Sequence, residues 1–450
     1  MDEYLIVTDD IKELLAKREF AAAKSMISNM NGADIALIMA ELPEEKVAVL
    51  FRLMPKDLAA EVFVELDPDA QQHLIKALSD AELKEVFDEL YMDDTVDILE
   101  EMPANVVKRI LKNSDNETRR IINQILRYPE DSAGSIMTTE YVRLSTAMDV
   151  SDALAVIRRS GVDKETIYTC YVTDKDRVVI GIVSARSLLL SSPEKSIEDI
   201  METNVITVRT TDDKELAANV LKKYDFLAVP VVDEEDRLVG IVTIDDAVDV
   251  LQEEATEDIE KMAAITPTEK PYLKMSVWGL YLSRIPWLLL LMISATFTGM
   301  IITGFEDALS GMVVLTAYIP MLMDTGGNSG SQASVTIIRG LSLDEIKFRD
   351  LMRVQWKELR VSLLCGLTLA AANFLKLIFF DHRSLMVASV VCLTLLVTVI
   401  IAKFVGCTLP MLAKRVGFDP AVMASPFITT IVDAISLLVY FRFASFLLGL

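Results

Sequence analysis

Five long apolar stretches near the end of this 450-residue chain restrict its fold more than any other feature. A helix needs about 20 mostly apolar residues to cross the hydrocarbon core of a bilayer, and each stretch reaches that length. The stretches cover residues 280–303, 310–337, 359–380, 385–412 and 421–448. The sequence therefore predicts an all-α membrane domain with five transmembrane helices over residues 276–450.

Basic residues in the loops between these stretches predict how the helices are oriented. Short loops rich in Lys and Arg stay in the cytosol, and two of the four loops carry all but one of the loop basic residues. These residues are Arg339, Lys347, Arg349, Arg353, Lys357, Arg360, Lys414 and Arg415. We therefore expect a multi-pass protein of the plasma membrane with a cytosolic N-terminus and the C-terminus outside. The N-terminal sequence "MDEYLIVTDDIKELL" lacks the basic start and apolar run of a secretory signal.

Charge divides the chain at the same place. The chain has 44 Lys and Arg against 67 Asp and Glu, and from Pro271 onward there are 14 against 10. The net charge is therefore −27 before residue 271 and +4 after it. An acidic front part attracts cations and repels nucleic acid. The four cysteines form no CxxC pair, the histidines number two, and no nucleophile motif or phosphate loop occurs, so the sequence predicts no enzyme.

Regularly spaced prolines organise the first 130 residues. The segment "DIALIMAELPEEKVAVLFRLMPKDLAAEVFVELDPDAQQHLIKAL" alternates apolar helical phrases with Pro43, Pro55 and Pro68, and a related phrase ends at Pro103. Proline suits the first turn of a helix and not its interior, so each proline predicts a new helix start. A series of short helices of this kind predicts a helical, solenoid-like N domain over residues 1–130.

A strand-and-helix pattern occurs twice between residues 131 and 249. Met137 corresponds to Met201 and Gly181 to Gly240, and "DRVVIGIVS" is answered by "DRLVGIVT". Such a repeat indicates two copies of one supersecondary unit. The segment resembles a tandem pair of CBS domains, which implies an α/β fold.

This resemblance also raises the question of a nucleotide site. Members of the CBS family often hold a nucleotide ribose with a Ser or Thr followed three residues later by an Asp. The second repeat has Thr243 and Asp246 at these positions, whereas the first has Ser184 followed by Ser187. Adenine-nucleotide binding at the second repeat therefore stays an open alternative.

An acidic stripe marks the helix that leads toward the membrane, which we place at residues 250–275. Its acids recur at helical spacing and are Asp246, Asp249, Glu253, Glu257 and Glu260. Like charges one turn apart destabilise a helix, so a compensating ligand is expected. Hard divalent cations such as Mg²⁺ bind through carboxylate oxygens, and the stripe therefore predicts cation binding. A solvated surface with salt screening is the alternative.

Two carboxylates lie within the predicted spans, Asp324 in the second and Asp433 in the fifth. Ionisable groups deep in a bilayer are costly and usually mark an ion or substrate pathway. The same two spans contain residues that weaken helices, namely Pro320, Gly326, Gly327, Gly330, Pro420 and Pro426. Non-helical backbone at membrane depth is tolerated beside a water-filled cavity, so the pattern predicts bent spans along a cation path. We expect Lys376, Lys403 and Arg442 to snorkel or pair near span ends.

Two longer stretches then carry a family resemblance over essentially the whole chain. "PMLMDTGGNSGSQ" at 320–332 is similar to the P-x-x-x-D-x-G-G-N-x-G-x-Q signature of the MgtE family of magnesium channels, and "DPAVMASPFITTIVD" at 419–433 is similar to its fifth-span signature. The order of helical domain, CBS pair, acidic connecting helix and five spans is also similar.

The resemblance implies a role for individual residues. Asp433 would bind hydrated Mg²⁺ where two copies of the chain meet in a homodimer. The pore lining and its motif would comprise Pro320, Asp324, Gly326, Gly327, Asn328, Gly330, Gln332, Ser425, Pro426 and Thr430. Some members have an asparagine where this chain has Ser425. Cytosolic regulatory Mg²⁺ would be held by Glu61, Asp93, Asp97, Glu215, Asp225, Asp246, Asp249, Glu254, Glu257, Asp258 and Asp419.

The function predicted from this resemblance is Mg²⁺ uptake through a channel that cytosolic Mg²⁺ closes. Mg²⁺ would then be both substrate and regulator, with the lipid bilayer and a second copy as partners and no role for nucleic acid. One alternative is an ion-coupled secondary transporter of Mg²⁺ or of Co²⁺ or Mn²⁺, because broken helices suit transporters too. The other is a membrane sensor whose CBS pair signals to a partner and which moves no ion.

Overall fold

The computed structural model describes residues 2–268, 272–305, 313–423 and 425–448. The chain forms two compact units, Met1–Leu251 and Gln252–Leu450. The first contains short helices and two small sheets, and the second contains the long apolar helices. This is the predicted fold class.

Short helices make up the N-terminal part of the first unit. They are α1 (Asp2–Lys17), α2 (Phe20–Ile27), α3 (Gly32–Ala40), α4 (Glu44–Phe51), α5 (Lys56–Val64), α6 (Pro68–Ala77), α7 (Asp80–Phe87), α8 (Met92–Glu101), α9 (Ala104–Asn113) and α10 (Asn116–Ile125). Pro43, Pro55 and Pro103 directly precede α4, α5 and α9, and Pro68 is the first residue of α6. The predicted helix starts are confirmed.

Aromatic side chains link successive helices of this part. Phe63 lies between Phe51 and Phe87, and the ring centroids are 6.1 and 5.8 Å apart in edge-to-face contacts. Such pairs add about 0.5–1.5 kcal/mol beyond their area burial. The row joins α4, α5 and α7 into a stacked series, which agrees with the predicted solenoid-like arrangement.

Each half of the α/β segment forms one three-stranded sheet. The first contains β1 (Tyr141–Leu144), β2 (Thr166–Thr173) and β3 (Val179–Ser184), and the second contains β4 (Val208–Arg209), β5 (Ala228–Val232) and β6 (Leu238–Thr243). In both sheets the first two strands pair parallel and the last two antiparallel. The accompanying helices are α11 (Val150–Ser160), α12 (Ala185–Leu190), α13 (Ile197–Ile200) and α14 (Lys214–Tyr224).

The two repeats exchange their leading segments. A Cβ added at Gly240 would lie 2.6 Å from the sulfur of Met137, and one added at Gly181 would lie 2.7 Å from the sulfur of Met201. The methionine of each repeat thus covers the glycine of the other. A glycine is needed where another group approaches the backbone this closely, which explains why both residue types recur together.

The acidic helix is continuous with the second repeat. It is α15 (Ile244–Met262) and begins directly after β6. It ends well before residue 275, because the backbone turns at Ala264, whose φ is 55°, and the Thr268 N–H donates back to the Glu260 carboxylate at 2.9 Å. The predicted helical segment is therefore too long at its C-terminal end.

Long helices dominate the second unit. They are α16 (Val277–Gly304), α17 (Ile319–Ser342), α18 (Leu351–Phe379), α19 (Leu385–Val416) and α20 (Ser425–Leu448). Among the described residues, four segments are long and apolar enough to cross a membrane, and they contain α16, α18, α19 and α20. Helix α17 corresponds to the predicted second span and carries the polar motif.

The polar motif does not interrupt the helical backbone of α17. The helix runs without interruption from Ile319 to Ser342 and includes the whole "MDTGGNSGSQ" stretch. Pro320 and Pro426 lie in the first turns of α17 and α20, and Pro420 begins a short 3-10 helix. A proline costs nothing in the first turn because its missing N–H has no intrahelical partner there. These prolines therefore start helices rather than break them.

Candidate functional site

Glycines on one face of α17 bring the neighbouring helices close. A Cβ added at Gly326 or at Gly327 would lie 2.7 Å from the nearest side chain, which for Gly327 is Thr429 of α20. Gly406 of α19 faces Gly330 so closely that an added Cβ would overlap the Gly330 carbonyl oxygen. Small residues that let backbones approach are typical of packed membrane helices. The motif glycines are therefore contact positions.

The opposite face of α17 is polar. Asp324, Asn328 and Gln332 follow one another at intervals of one helical turn, and all three side chains are exposed in the single chain. Residues four apart lie on the same side of a helix. The motif thus combines a packed glycine face with a continuous polar face on one helix.

Asp433 lies in α20 beside this helix. Its neighbours in sequence, Val432 and Ser436, face Gly326, and the charge of Asp324 acts on the Asp433 carboxylate. The Asp433 side chain is half-buried, and its Oδ1 accepts no hydrogen bond from the described residues. A buried carboxylate oxygen without a donor is costly. The arrangement suits a group that binds a cation or its waters.

The other predicted motif residues of α20 lie near its start. The Thr430 hydroxyl donates to the Pro426 carbonyl oxygen at 3.0 Å, within the helix itself. The side chain of Ser425 lies outside the described residues. The Thr430 hydroxyl therefore satisfies a backbone carbonyl one turn earlier in its own helix, as Thr side chains in helices often do.

A buried ion pair crosses from α18 to α19. The Lys403 Nζ lies 3.7 Å from the Glu358 Oε2, and Lys403 is only 6% exposed. Lys403 lies one helical turn from Gly406 and thus at the level of the α17 motif. Of the two expected outcomes, snorkelling or pairing, Lys403 shows the pairing, and its partner comes from a different helix.

Carboxyl groups of the first unit raise one another's pKa where α8, β2 and α15 meet. Burial and the charge of Asp246 raise the pKa of Asp93 well above its usual value. Burial and then Asp246 raise the pKa of Asp94 to about 7, and burial with the acids of α15 raises the pKa of Glu165 to about 8. Carboxylates that hinder one another's ionisation create a negative site that a divalent cation would neutralise.

Asp246 also belongs to the second CBS repeat. The Thr243 hydroxyl donates to its Oδ2 at 2.5 Å, and burial raises the pKa of Asp246 to about 6 against the effect of that hydrogen bond. In the first repeat the hydroxyls of Ser184 and Ser187 lie 2.9 Å apart. In each repeat the two side chains at the candidate ribose position therefore contact each other. In the second repeat the acid of this pair, Asp246, also belongs to a cluster of carboxyl groups with Asp93, Asp94 and Glu165.

These acids do not form a ready-made cage for a bare ion. Within the described ranges, no three His, Cys, Asp or Glu side chains are close enough to bind one ion together. Mg²⁺ loses its waters reluctantly and is often held through one or two carboxylates and several waters. The four carboxyl groups of Asp93, Asp94, Glu165 and Asp246, here called the carboxyl cluster, fit that mode better than direct coordination.

The remaining predicted acids of the first unit occupy several helices. Asp97 lies in α8, and its charge is one of the causes that raise the pKa of Asp94. Glu61 lies in α5 against Gly32. Glu215 is in the first turn of α14 and accepts a hydrogen bond from Asn219 at 3.3 Å. Asp225 ends α14 with φ 55°, and Asp249 and Glu254 lie along α15.

A lysine occupies the space between two acids that the sequence assigned to Mg²⁺. The Lys261 Nζ lies 2.6 Å from the Glu257 Oε1 and 2.7 Å from the Asp419 Oδ2. The other Asp419 oxygen accepts the Ala421 N–H at 2.8 Å. Burial lowers the pKa of Lys261, but the hydrogen bonds that its ammonium donates to Asp419 and Glu257 outweigh this effect and raise the pKa. Burial and then Asp419 raise the pKa of Asp258.

Three family models match the chain. The intracellular N domain of MgtE matches residues 30–131, the CBS domain matches residues 133–194 and 197–253, and MgtE, described as a divalent cation transporter, matches residues 319–443. The matched regions follow one another along the chain in the order that the sequence predicts.

Relatives that match this chain over nearly its whole length are also named MgtE. A magnesium transporter MgtE of Thermus thermophilus is 38% identical over 452 residues, which cover 100% of this chain and 99% of the relative. The chain belongs to the MgtE family. The magnesium transporter MgtE of Bacillus subtilis is 33% identical and covers 94% of this chain and 93% of its own length. Each relative is thus named as a transporter and not as an enzyme.

Solved structures of two magnesium-transport proteins each cover about half of the chain. The crystal structure of the cytosolic domain of the Mg²⁺ channel MgtE in complex with ATP has 37% identity and a TM-score of 0.52, and covers 54% of this chain. The soluble part of a magnesium transporter has 28% identity and a TM-score of 0.53, and covers 56%. Each is covered to 99% of its own length.

Several charged residues of these sites escaped the sequence analysis. Asp94 and Glu165 belong to the carboxyl cluster, Lys261 bridges two acids, and Glu358 pairs with Lys403. Asp94 adjoins the predicted Asp93, and that adjacency was a usable signal. Lys261 pairs with Glu257 one turn away in the same helix, but its contact with Asp419 joins residues distant in sequence. The partners of Glu165 and Glu358 are also distant in sequence, and periodicity along one helix does not reveal such contacts.

Proposed function

We propose that two copies of this MgtE-family chain form a pore that carries Mg²⁺ into the cell. The observation that supports it most strongly is the polar face of α17, with Asp324, Asn328 and Gln332 exposed in the single chain. Lipid cannot satisfy such groups, so they need water or protein. A second copy placed against α17 would cover this face and enclose a hydrated path along it.

In this proposal Asp433 is the main ion-binding residue. Its half-buried carboxylate has an Oδ1 without a donor from the described residues and lies beside the close-packed contact of α17 and α20. One carboxylate suits a hydrated Mg²⁺ ion, because the ion keeps its waters and the protein accepts hydrogen bonds from them. Selectivity would then arise from the size and charge of the hydrated ion.

Substitution of Asp433 tests the pore. We expect Asp433→Asn to reduce Mg²⁺ flux into liposomes by at least about tenfold, since the variant removes the charge that attracts the ion. The matched control is Asp344→Asn, which removes an exposed acid in a loop where φ is 57°, a conformation that Asn tolerates. Unchanged flux in Asp433→Asn would eliminate the assignment.

Regulation by cytosolic Mg²⁺ is the second part of the proposal. The carboxyl cluster of Asp93, Asp94, Glu165 and Asp246 lies where helix α8 meets the CBS pair within the first unit. Its negative charges repel one another. Mg²⁺ bound there would stabilise the contact. If that arrangement favours a closed pore, binding shifts the equilibrium by the difference in affinity between the two states.

Flux measured at several internal Mg²⁺ concentrations tests this feedback. The double variant Asp94→Asn with Glu165→Gln removes two of the repelling charges and keeps the side-chain volumes. We expect its flux to need more internal Mg²⁺ for half-inhibition, by roughly three- to tenfold, because the site attracts the ion less. Half-inhibition at the same concentration as in the unchanged chain would argue against a regulatory role for these acids.

A nucleotide site at the second CBS repeat is a further part of the proposal. The solved relative with 37% identity holds ATP, and this chain has a hydrogen bond between Thr243 and Asp246, the pair that the CBS resemblance implies for a nucleotide ribose. We expect calorimetry to detect ATP binding by the full chain and Asp246→Ala to abolish it. Because Asp246 also belongs to the acidic group, ATP and Mg²⁺ should influence each other's affinity.

Two other functions predict different measurements. An ion-coupled transporter would need a proton or Na⁺ gradient, so downhill Mg²⁺ flux without such a gradient would count against coupling. A sensor would carry no ion, and any flux that depends on Asp433 would exclude it. The location of the first unit in the cytosol is also a proposal, and it rests on the basic loops. Protease access from the inside of oriented vesicles tests it.

A further inference from the structure

A cavity of about 500 Å³ lies along the polar face of α17. Helix α17 contributes Asp324, Asn328 and Gln332 to its wall, α18 contributes Cys365 with apolar neighbours, and α19 contributes Lys403. The cavity thus lies away from the face on which the glycines pack. It combines a carboxylate, two amides and an ammonium within one membrane unit.

The ammonium in this wall is incompletely neutralised. Lys403 is nearly buried, yet its partner oxygen on Glu358 is 3.7 Å away, beyond hydrogen-bond distance. That Glu358 oxygen is itself buried and accepts no hydrogen bond from the described part of the chain. Buried charges that are paired this loosely do little for stability, and inside a membrane they usually serve an ion path.

We propose that this cavity is a chamber for one hydrated divalent cation and that the Lys403–Glu358 pair sets how strongly the chamber holds it. Asp324 and the amide oxygens of Asn328 and Gln332 accept hydrogen bonds from the waters of the ion. The ammonium faces the chamber and Glu358 lies behind it, so the pair weakens the attraction of Asp324. A conducting site must bind an ion weakly enough to release it.

This inference rests on the proposed transport of Mg²⁺ and shares the polar face of α17 with the pore proposal, but the Lys403–Glu358 pair has no part in that proposal. Removing Lys403 leaves the charge of Glu358 uncompensated and makes the chamber more negative. Removing the charge of Glu358 leaves the ammonium uncompensated and makes it more positive. Removing both charges restores a potential near that of the unchanged chain, which is the expected pattern for an electrostatic role.

The chain contains its own reporter for this potential. Cys365 is exposed in the cavity wall, whereas Cys170, Cys392 and Cys407 are buried. Cationic and anionic methanethiosulfonate reagents of similar size are applied to the full chain in lipid nanodiscs, and the ratio of their rates of reaction at Cys365 is measured with and without Mg²⁺. Cys365→Ser identifies the labelling that belongs to this thiol.

We expect the cationic reagent to react faster in the unchanged chain and Mg²⁺ to slow it. Lys403→Met should raise the ratio of cationic to anionic rates by roughly fivefold, and Glu358→Gln should lower it by roughly fivefold. The double variant Lys403→Met with Glu358→Gln should return close to the original ratio. A purely structural pair would leave these ratios unchanged in every variant that folds.

Two results would overturn the chamber. One is labelling by a lipophilic maleimide alone, because the cavity would then face lipid. The other is reaction with both charged reagents that Mg²⁺ does not slow, a measurement on the unchanged chain that does not depend on whether any variant folds. If Asp433→Asn abolishes flux while Mg²⁺ fails to protect Cys365, the pore stands and the chamber falls. If Asp433→Asn leaves flux unchanged, the pore falls instead.

Discussion

Lys261 places a permanent positive charge where the acidic stripe of α15 approaches the segment before α20. Its ammonium contacts Glu257 at 2.6 Å and Asp419 at 2.7 Å, with Lys261 and both acids partly shielded from water. An ammonium and a hydrated cation compete for the same carboxylates. This part of the chain therefore needs no metal ion to hold the two segments together, in contrast to the acidic group around Asp93.

At the residue scale, Lys261→Met should loosen this contact. Each partly exposed ion pair contributes about 0.2–1 kcal/mol, so we expect flux at zero internal Mg²⁺ to rise roughly two- to fivefold if the contact favours the closed pore. The control is Lys347→Met, whose partner Asp344 lies three residues away in the same loop, so that the pair joins no two elements. Equal flux in both variants would contradict the tether.

At the element scale, α17 shows why a membrane helix can be rich in glycine and remain continuous. Its backbone hydrogen bonds are complete within the helix, and the space that side chains would fill is taken by α19 and α20. Without water to drive association, helices in a membrane gain from close packing. The same residues that lower helix propensity in water therefore stabilise this contact.

Alanine substitution tests this packing. Gly406→Ala places a Cβ against the Gly330 backbone, which cannot move aside as a flexible side chain can. We expect a loss of about 1–3 kcal/mol, because overpacking at a close contact forces the helices apart. The measurement is thermal unfolding of the purified chain in detergent.

The matched control is Gly299→Ala in α16, where an added Cβ meets nothing within 4 Å. Alanine there should leave stability unchanged or raise it by about 0.5–1 kcal/mol, as in a helix interior. Equal effects of the two substitutions would show that Gly406 is not a packing position.

At the scale of the whole molecule, the carboxyl cluster should make the free energy of unfolding depend on both pH and Mg²⁺. Raised pKa values mean that the folded chain holds more protons than the unfolded chain, so stability falls as pH rises through this range. The pKa values of about 6, 7 and 8 for Asp246, Asp94 and Glu165 set the window. Bound Mg²⁺ neutralises the same charges and should offset the loss.

We therefore expect amide exchange in α8 of the full chain, corrected for the intrinsic effect of pH, to show less protection at pH 8 than at pH 6 without Mg²⁺. Adding Mg²⁺ should restore more protection at pH 8 than at pH 6. The variant with Asp94→Asn and Glu165→Gln should lose most of this pH dependence. Protection that increases with pH in the unchanged chain would contradict the electrostatic account.

Local features of the sequence predicted much of the fold. Prolines marked the helix starts at α4, α5, α6 and α9 because the proline ring excludes a helix interior. The paired recurrence of Met137 and Met201 indicated two repeats, but their exchange across the pair required the structure. The boundaries of the four predicted domains and the roles of the individual site residues stay predictions.

The sequence by itself determined the order of the sections, the membrane character of the last part and the residues that carry the family signatures. These follow from apolar length, proline position and repeat spacing, which are properties of neighbouring residues. The tertiary structure decided that the motif glycines pack against neighbouring helices, that Lys261 bridges Glu257 and Asp419, and that Lys403 pairs with Glu358. Charge pairing and close packing depend on distances between elements far apart in the chain, and no pattern within one element contains those distances.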